Sequence, residues 1–298
     1  SDVYKRQIVF NGEIYNHLEL RDELTRLGYS YSSQSDTETI IYAYKQWGIN
    51  FLHKLEGMFA IALFDLQKNE FYLIRDRIGV KPLYFSDQNG ILSFASEIKS
   101  LWVLPWMKKS INQESVYHYL TFMVSPAPNT IFDKVFKLPA GFYLKVDENK
   151  NISCTQWYDI LNAYNSQDER EAKDEKLCIE KIETLLTQAI KKRMMSDVPV
   201  GAFLSGGVDS SLNVALMSQF SKKVKTFTVS FSDEPDSDET KWARLIAKKF
   251  DTDHHEIVIC ENDAFNFYEK MVYHLDEPLA DCVCIPFYYV AKLAKDSG

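Results

Sequence analysis

From residue 177 onward, runs with strand character and runs with helix character take turns along the chain, and that rhythm limits the fold more than any other feature. Ile179 to Met194 has helical spacing. Val200 to Leu204 reads as a strand and Ser210 to Phe220 as a helix, followed by strand Val224 to Phe231 and helix Glu239 to Phe250. Glu256 to Ile259 is a further strand, and Asp263 to Leu275 and Pro286 to Lys295 are helices. Alternation of this kind predicts βαβ units, hence a parallel sheet covered by helices.

The first half has a different texture. Ile8 to Phe10, Met58 to Phe64, Glu70 to Arg75, Leu92 to Ala95, Lys134 to Leu138 and Gly141 to Val146 are β-prone. They are separated by polar turns such as Gln67-Lys68-Asn69 and Asp87-Gln88-Asn89-Gly90. Leu18 to Leu27 and Thr37 to Trp47 are helical, the second opened by the cap-like Ser35-Asp36. This half is expected to be α+β with mostly antiparallel pairing. The intervening stretch 151–176 is polar and charge-rich, which suggests a first domain over 1–150, a linker over 151–176 and a second domain over 177–298.

Composition narrows the function. The 298 residues are 46% hydrophobic and 26% charged with a net charge of −8. A mildly acidic chain lacks the concentrated basic face that a nucleic acid or an anionic membrane requires, so neither is an expected partner. No apolar run approaches the about 18 residues of a membrane span. The five cysteines, Cys154, Cys178, Cys260, Cys282 and Cys284, are too sparse for a disulfide scaffold, and the expected location is the cytoplasm. Cys282-Val283-Cys284 is tighter than a zinc half-site. His254 and His255, as strand neighbours, are expected to point to opposite faces and so not to share one ion.

The segment Leu204-Ser205-Gly206-Gly207-Val208-Asp209-Ser210-Ser211 places two glycines and three hydroxyls between a strand and a helix. The glycines let backbone N–H groups approach an anion, and the helix start adds unpaired donors and the positive end of its dipole. Asp209 suits such a place if a cation lies between it and the phosphates, and Mg²⁺ is bound in that way. Neither a Walker loop nor a dinucleotide-binding G-x-G-x-x-G is present. Further on, Asp276, Glu277 and Asp281 gather at a helix C-terminus, an unfavourable place for negative charge. Solvent exposure or a cation relieves that cost, and Asp276 or Asp281 is a candidate metal ligand. In the first half, Asn11 can donate side-chain N–H groups and Gly12 permits close approach. Glu13 and Asp36 can bind an ammonium group. That set suits an α-amino acid whose side-chain carbonyl becomes an oxyanion.

The S-G-G-x-D-S string resembles the PP-loop of ATP pyrophosphatases. The resemblance implies that Leu204 and Val229 meet adenosine through their backbone. It also implies that Ser205, Gly206, Gly207, Asp209 and Ser210 hold pyrophosphate, with Asp209 on Mg²⁺. Taken with Asn11-Gly12-Glu13-Ile14-Tyr15-Asn16 the pattern is similar to the glutamine-dependent asparagine synthetases. Other stretches agree: Leu55 to Ala60, Arg75 to Tyr84, Ala95 to Lys99 and Asp197 to Gly201. The implied fold is a partial N-terminal-nucleophile glutaminase domain, an αββα sandwich. A partial α/β parallel-sheet PP-loop domain of the adenine nucleotide alpha hydrolase-like kind follows it. The implied roles are an oxyanion hole at Asn11 and Gly12 and glutamine binding by Asn11, Gly12, Glu13 and Asp36. The implied reaction is that of a ligase. A cysteine takes the glutamine amide as a thioester and releases ammonia. L-aspartate attacks ATP to give β-aspartyl-AMP and pyrophosphate, and ammonia then displaces AMP. ATP and Mg²⁺ are the implied cofactors, L-glutamine and L-aspartate the implied substrates, and a homodimer the implied assembly.

The sequence also departs from that family. Residue 1 is Ser1, only ten residues precede Asn11, and the nucleophilic cysteine is absent from its place. The later Ser-Gly-Glu-Gly-type motif is missing too. An internal fragment is therefore expected, Ser1 to Gln7 being foreign, without glutaminase activity and with weak or no asparagine formation. Two rival readings are an amidotransferase acting on another carboxylate, β-lactam synthetase-like or polysaccharide-directed, and a non-catalytic nucleotide-binding module.

Overall fold

The computed structural model describes residues 5–162, 171–232 and 239–298. The chain divides into two units. One is Ser1–Asp168 with Asp276–Pro278, and the other is Glu169–Leu275 with Leu279–Gly298.

In the first unit a five-stranded sheet runs β1 (Arg6–Ile14), β2 (Gly57–Asp65), β3 (Glu70–Arg75), β7 (Phe142–Val146), β8 (Ile152–Gln156), with every pair antiparallel. A second sheet of β5 (Ile91–Ala95), β4 (Tyr84–Gln88) and β6 (Phe136–Lys137) is antiparallel as well. The period of two along each strand sorts the side chains into layers. On β2, Phe59, Ile61 and Leu63 join a core with α1 (His17–Arg26) and α2 (Asp36–Trp47), through Leu20, Leu24, Ile40 and Tyr44. Ala60 and Ala62, on the opposite face, enter a second core with Leu73, Leu144, Phe85 and Phe94. That core lies between the two sheets. On β4 and β5 the alternate residues Tyr84 and Ala95 face a third cluster, with Ile98 and Leu101 of the one-turn helix α3 (Ile98–Leu101). Helix, sheet, sheet and a thin outer helical layer follow one another, in line with a partial αββα sandwich. A further helix, α4 (Gln113–Phe122), is capped by Asn112, whose side chain accepts the Ser115 amide at 3.1 Å.

The second unit holds a parallel sheet in the order β11 (Asp253–Ile259), β10 (Lys225–Phe231), β9 (Gly201–Phe203). Ala202 and Leu204 pack on one face with Val214 of α6 (Val208–Met217) and Ala243 and Ala247 of α7 (Thr240–Lys249). Phe203 and Phe227 turn to the other face, where Phe203 meets Phe287 of α9 (Cys284–Asp296) with ring centroids 6.0 Å apart. Helices α5 (Glu175–Arg193) and α8 (Glu261–Leu275) complete the set of long helices among the described residues. No helix among those residues is long and apolar enough to cross a membrane.

Two expectations change. The stretch 151–176 opens with strand β8 on the edge of the main sheet, and Trp157 is buried against Phe59. Polar, exposed side chains on β8 had disguised a strand as linker; residues 163–170 of that stretch lie outside the described residues. The strand expected over Ile8 to Phe10 is longer: the Asn11-Gly12-Glu13 segment belongs to β1 itself, paired with Ala60, Phe59 and Met58. Of Ser1 to Gln7, Arg6 and Gln7 also pair in β1, opposite Asp65 and Phe64, while residues 1–4 lie outside the described residues.

Candidate functional site

The amide-binding candidates of the first unit cluster at the end of β1. Gly12 lies opposite Phe59, and a Cβ there would come within 2.1 Å of the Met58 carbonyl oxygen. Gly57 mirrors it, since its Cβ would stand 2.3 Å from the Glu13 oxygen. Both glycines are required by how closely the two strands approach. Asn11 donates one side-chain N–H to Ser96 Oγ at 3.1 Å, which leaves the second N–H of its amide for a ligand. Asn16, nearly buried, fixes the end of β1. It donates to the Lys54 carbonyl and accepts from the Glu56 amide, both at 2.9 Å. Asp36 begins α2, behind the N-cap Ser35. Its Oδ2 accepts the Ile14 amide at 3.1 Å, while Oδ1 faces the hydroxyls of Thr37 and Ser35 at 3.4 and 3.5 Å.

Below this edge the segment Arg75 to Tyr84 closes on itself. Arg75 donates to the carbonyls of Lys81, Leu138 and Gly79 at 2.7 to 2.9 Å, and burial lowers the pKa of its guanidinium. Asp76, 1% exposed, accepts the amides of Phe59 and Lys81 on Oδ2 and of Ile78 and Val80 on Oδ1. The two charges are spent on backbone groups of a loop that has no regular secondary structure to satisfy them. These structural roles cannot be read from spacing, because the partners lie along an irregular loop and on a neighbouring strand.

Asp276 and Glu277 do not stand open to a cation. Asp276 Oδ2 accepts the Ile98 amide at 2.7 Å, and Oδ1 accepts the Lys99 amide at 3.2 Å and pairs with Lys99 Nζ at 3.1 Å. Glu277 accepts the Ile131 amide at 2.7 Å and pairs with Lys137 Nζ at 2.8 Å. The negative charge that looked unfavourable at a helix end is neutralised by lysines distant in sequence. Asp281, in the second unit, accepts the Val283 amide at 3.0 Å and caps the turn before α9.

In the second unit the loop after β9 has the form its sequence suggests. Gly206 adopts φ +87°, and a Cβ on it would lie 2.6 Å from both the Ala243 nitrogen and Trp242 Cβ. Gly207 is the N-cap of α6, and its amide donates to Ser205 Oγ at 3.2 Å. Ser205 and Ser210 hydroxyls are 3.0 Å apart, and Ser210 also donates to the Gly207 carbonyl. The Ser211 hydroxyl is buried without a hydrogen-bond partner among the described residues. Asp209 is exposed in the first turn of α6. Beside the loop a cavity of about 280 Å³ is lined by Phe203, Phe227, Val229, Val283, Pro286 and Phe287, with Ser205 on its rim. Val283, Pro286 and Phe287 were not foreseen; they reach the cavity only because α9 packs across the sheet.

The backbone of the two strands divides the expected adenosine contacts. The Leu204 amide donates to the Phe227 carbonyl at 2.8 Å, and its own carbonyl accepts the Thr228 hydroxyl. Leu204 thus ties the strand ends together, and its amide is not available to a base. Phe227 points its carbonyl toward β9, so Val229, two residues on, directs its N–H and C=O to the same side, past the last paired residue Phe203. His254 and His255 point to opposite faces of β11. His254 bonds Thr226 and Glu256 at 2.9 and 3.0 Å, and His255 stacks on Phe227 with centroids 5.4 Å apart.

The first unit is thus a sandwich whose strands β1 and β2 approach closely at Gly12 and Gly57, and the second a parallel sheet with a hydroxyl-rich loop at a helix N-terminus. Residues 1–158 match the model of the glutamine amidotransferase domain, and residues 181–298 match that of asparagine synthase. The chain belongs to the glutamine amidotransferase domain family. It is 36% identical to "Asparagine synthetase [glutamine-hydrolyzing] 1" of Bacillus subtilis (strain 168) over 97% of this chain and 44% of that protein. It is also 36% identical to "Putative asparagine synthetase [glutamine-hydrolyzing] 2" of Methanocaldococcus jannaschii, over 97% of this chain and 55% of that protein. The "Amidase chyE" of Penicillium rubens is 30% identical over 92% of this chain and 42% of its own length. The chain spans about half the length of the curated relatives it matches.

Proposed function

We propose that this chain carries the glutamine-binding face and the ATP-binding face of a glutamine-dependent asparagine synthetase. The overall reaction converts ATP, L-aspartate, L-glutamine and water to AMP, pyrophosphate, L-asparagine and L-glutamate. In the glutamine half, the free N–H of Asn11 and the backbone at Gly12 serve as donors to the oxyanion that forms when a thiolate adds to the side-chain amide. Asp36, through Oδ1, and Glu13 receive the α-ammonium group.

In the ATP half, the observation that carries the reading is the Ser205–Ser211 loop bordering the apolar cavity. The loop offers hydroxyls and first-turn amides to phosphate oxygens. The cavity suits the flat faces of a purine, with Phe203, Phe227 and Phe287 at its walls. The outward N–H and C=O of Val229 complement adenine N1 and the 6-amino group, and oppose the reversed pattern of guanine. No group of three His, Cys, Asp or Glu among the described residues could hold a metal ion. Asp209 alone, sharing a cation with phosphate oxygens, is a donor set that fits Mg²⁺. When bound, that ion would screen the charge of the departing pyrophosphate. Calorimetric titration of the chain with ATP and Mg²⁺ tests the reading. ATP should bind, GTP should bind at least about 10-fold more weakly, and Ser205→Ala should weaken ATP. Equal binding of the two nucleotides, or none, overturns it.

The likeness to an amidase favours one second reading, an acceptor carboxylate other than L-aspartate. AMP release assayed with L-aspartate and with larger carboxylates separates the two. We also propose a cytoplasmic location and a homodimeric assembly, the second of which sedimentation would measure.

A further inference from the structure

The carboxylate of Asp276 does work that the glutamine half needs. Helix α3 has only one turn, and the Glu97 that precedes it makes no side-chain capping bond. The first two amides of α3, Ile98 and Lys99, are instead satisfied by Asp276, 178 residues later in sequence. An ionised acceptor at a helix start makes bonds about twice as strong as neutral ones. The Asp276 side chain is 7% exposed, and the residue holds a left-handed φ of 61°, which neighbouring contacts must maintain. Glu277 pins the same short segment from the next position through Ile131 and Lys137. Lys99 Nζ lies 3.1 Å from both Asp276 and Glu97.

Ser96 lies between two fixed points. Ala95 before it is paired with Tyr84 in the second sheet, and Ile98 after it is fully buried and capped by Asp276. The Ser96 hydroxyl therefore has little freedom, and it is the acceptor that orients the Asn11 amide at 3.1 Å. Removing the cap frees α3 to fray and Ser96 to move with it. An oxyanion donor keeps its effect only while it is held within about 0.5 Å of its productive position.

We infer that Asp276 is a positioning residue of the glutamine site: by capping α3 it places Ser96, and through Ser96 it aims the Asn11 amide. This rests on the reading of Asn11 as an oxyanion donor. The test uses the full 298-residue chain, isotope-labelled for NMR, as wild type, Asp276→Ala, Asp276→Asn and Ser96→Ala. Asp276→Ala should speed amide exchange at Ile98 and Lys99 at least about 10-fold. It should also shift the Asn11 side-chain NH₂ resonances and weaken L-glutamine several-fold. Asp276→Asn keeps one acceptor oxygen but turns an NH₂ group toward the other amide, so it should produce the same changes at intermediate size. Ser96→Ala should shift the Asn11 resonances while leaving exchange at Ile98 unchanged, and it keeps the test open if Asp276→Ala does not fold. Its effect on glutamine affinity should not add to that of Asp276→Ala. A role confined to stability would lower the melting temperature and leave the Asn11 resonances in place, and that result overturns the inference. A wild-type chain that fails to bind L-glutamine, while its Asn11 resonances still respond to Asp276→Ala, overturns the reading of the site and leaves the positioning intact.

Discussion

The Ile14 amide donates to Asp36 Oδ2 at 3.1 Å, so the first residue of α2 holds the last residue of β1. One oxygen of Asp36 is thereby structural, and the other, beside the hydroxyls of Thr37 and Ser35, is the one proposed to meet the α-ammonium group. Asp36→Asn can keep the bond to Ile14 while losing the charge, and Asp36→Ala loses both. We expect Asp36→Asn to stay within about 1 kcal/mol of wild-type stability and to weaken L-glutamine. Asp36→Ala should also lose about 1–3 kcal/mol, the cost of leaving a buried amide unpaired. Urea unfolding and calorimetry on the two variants separate the roles. Unchanged glutamine affinity in Asp36→Asn would remove Asp36 from the site.

Glu38 gives the same loop a pH dependence. Burial pushes its carboxyl up, but hydrogen bonds from the hydroxyls and amides of Ser33 and Ser32 outweigh that and hold the pKa at about 2. The folded value lies below the ordinary 4.5, so the native state favours the ionised form. The stability this group contributes is present above about pH 4.5 and is lost as pH falls toward 2. The wild type should therefore exceed Glu38→Gln in urea midpoint at pH 6, and the gap should close near pH 2. A gap that is constant with pH would show that the charge of Glu38 is not what holds Ser32 and Ser33.

How much of this could be read in the chain depended on whether the partners were local. Asn89 and Gly90, both at positive φ, form the two-residue hairpin turn their dipeptide suggests. That turn also demands a strand on either side, and β4 was missed although Gln88 and Ile91 flank it. Strand β1 runs past the expected Ile8–Phe10 through Asn11-Gly12, because pairing with β2 overrides the weak strand preference of those two residues. The hydroxyl-rich loop was legible because its residues are contiguous, from Ser205 to Ser211. Helix α3 and the role of Asp276 were not, since one turn carries no periodicity and its cap lies 178 residues away. For the same reason Asp276 resembled a cation ligand: sequence shows its charge but not Lys99.

Arg75 and Asp76 should prove intolerant of conservative exchange. A lysine at 75 has one ammonium where the guanidinium fork reaches three carbonyls. An asparagine at 76 turns one oxygen into an NH₂ group facing two backbone amides, whichever way it is oriented. Each change should cost about 2–4 kcal/mol, read as a lower urea midpoint at unchanged slope. A loss under about 1 kcal/mol would mean that the loop finds other partners.

Gly206 and Gly207 are adjacent and alike in sequence, yet they should differ in what they tolerate. Gly206 sits at φ +87° with Ala243 and Trp242 of α7 against its Cα, so an added Cβ meets backbone and a helix that cannot withdraw without opening the core around Val214 and Ala247. Gly207 has φ −65°, and its Cβ would meet only the Ser205 hydroxyl, at 3.3 Å. Gly206→Ala should cost about 1–3 kcal/mol through backbone strain and overlap. Gly207→Ala should cost less than about 1 kcal/mol, the difference between glycine and alanine at an N-cap. Because the loop must distort to relieve Gly206→Ala, that variant should also bind ATP at least about 10-fold more weakly. Melting curves with and without ATP and Mg²⁺ measure both effects. Equal losses of stability in the two variants would show that the loop is not held against α7 in this way.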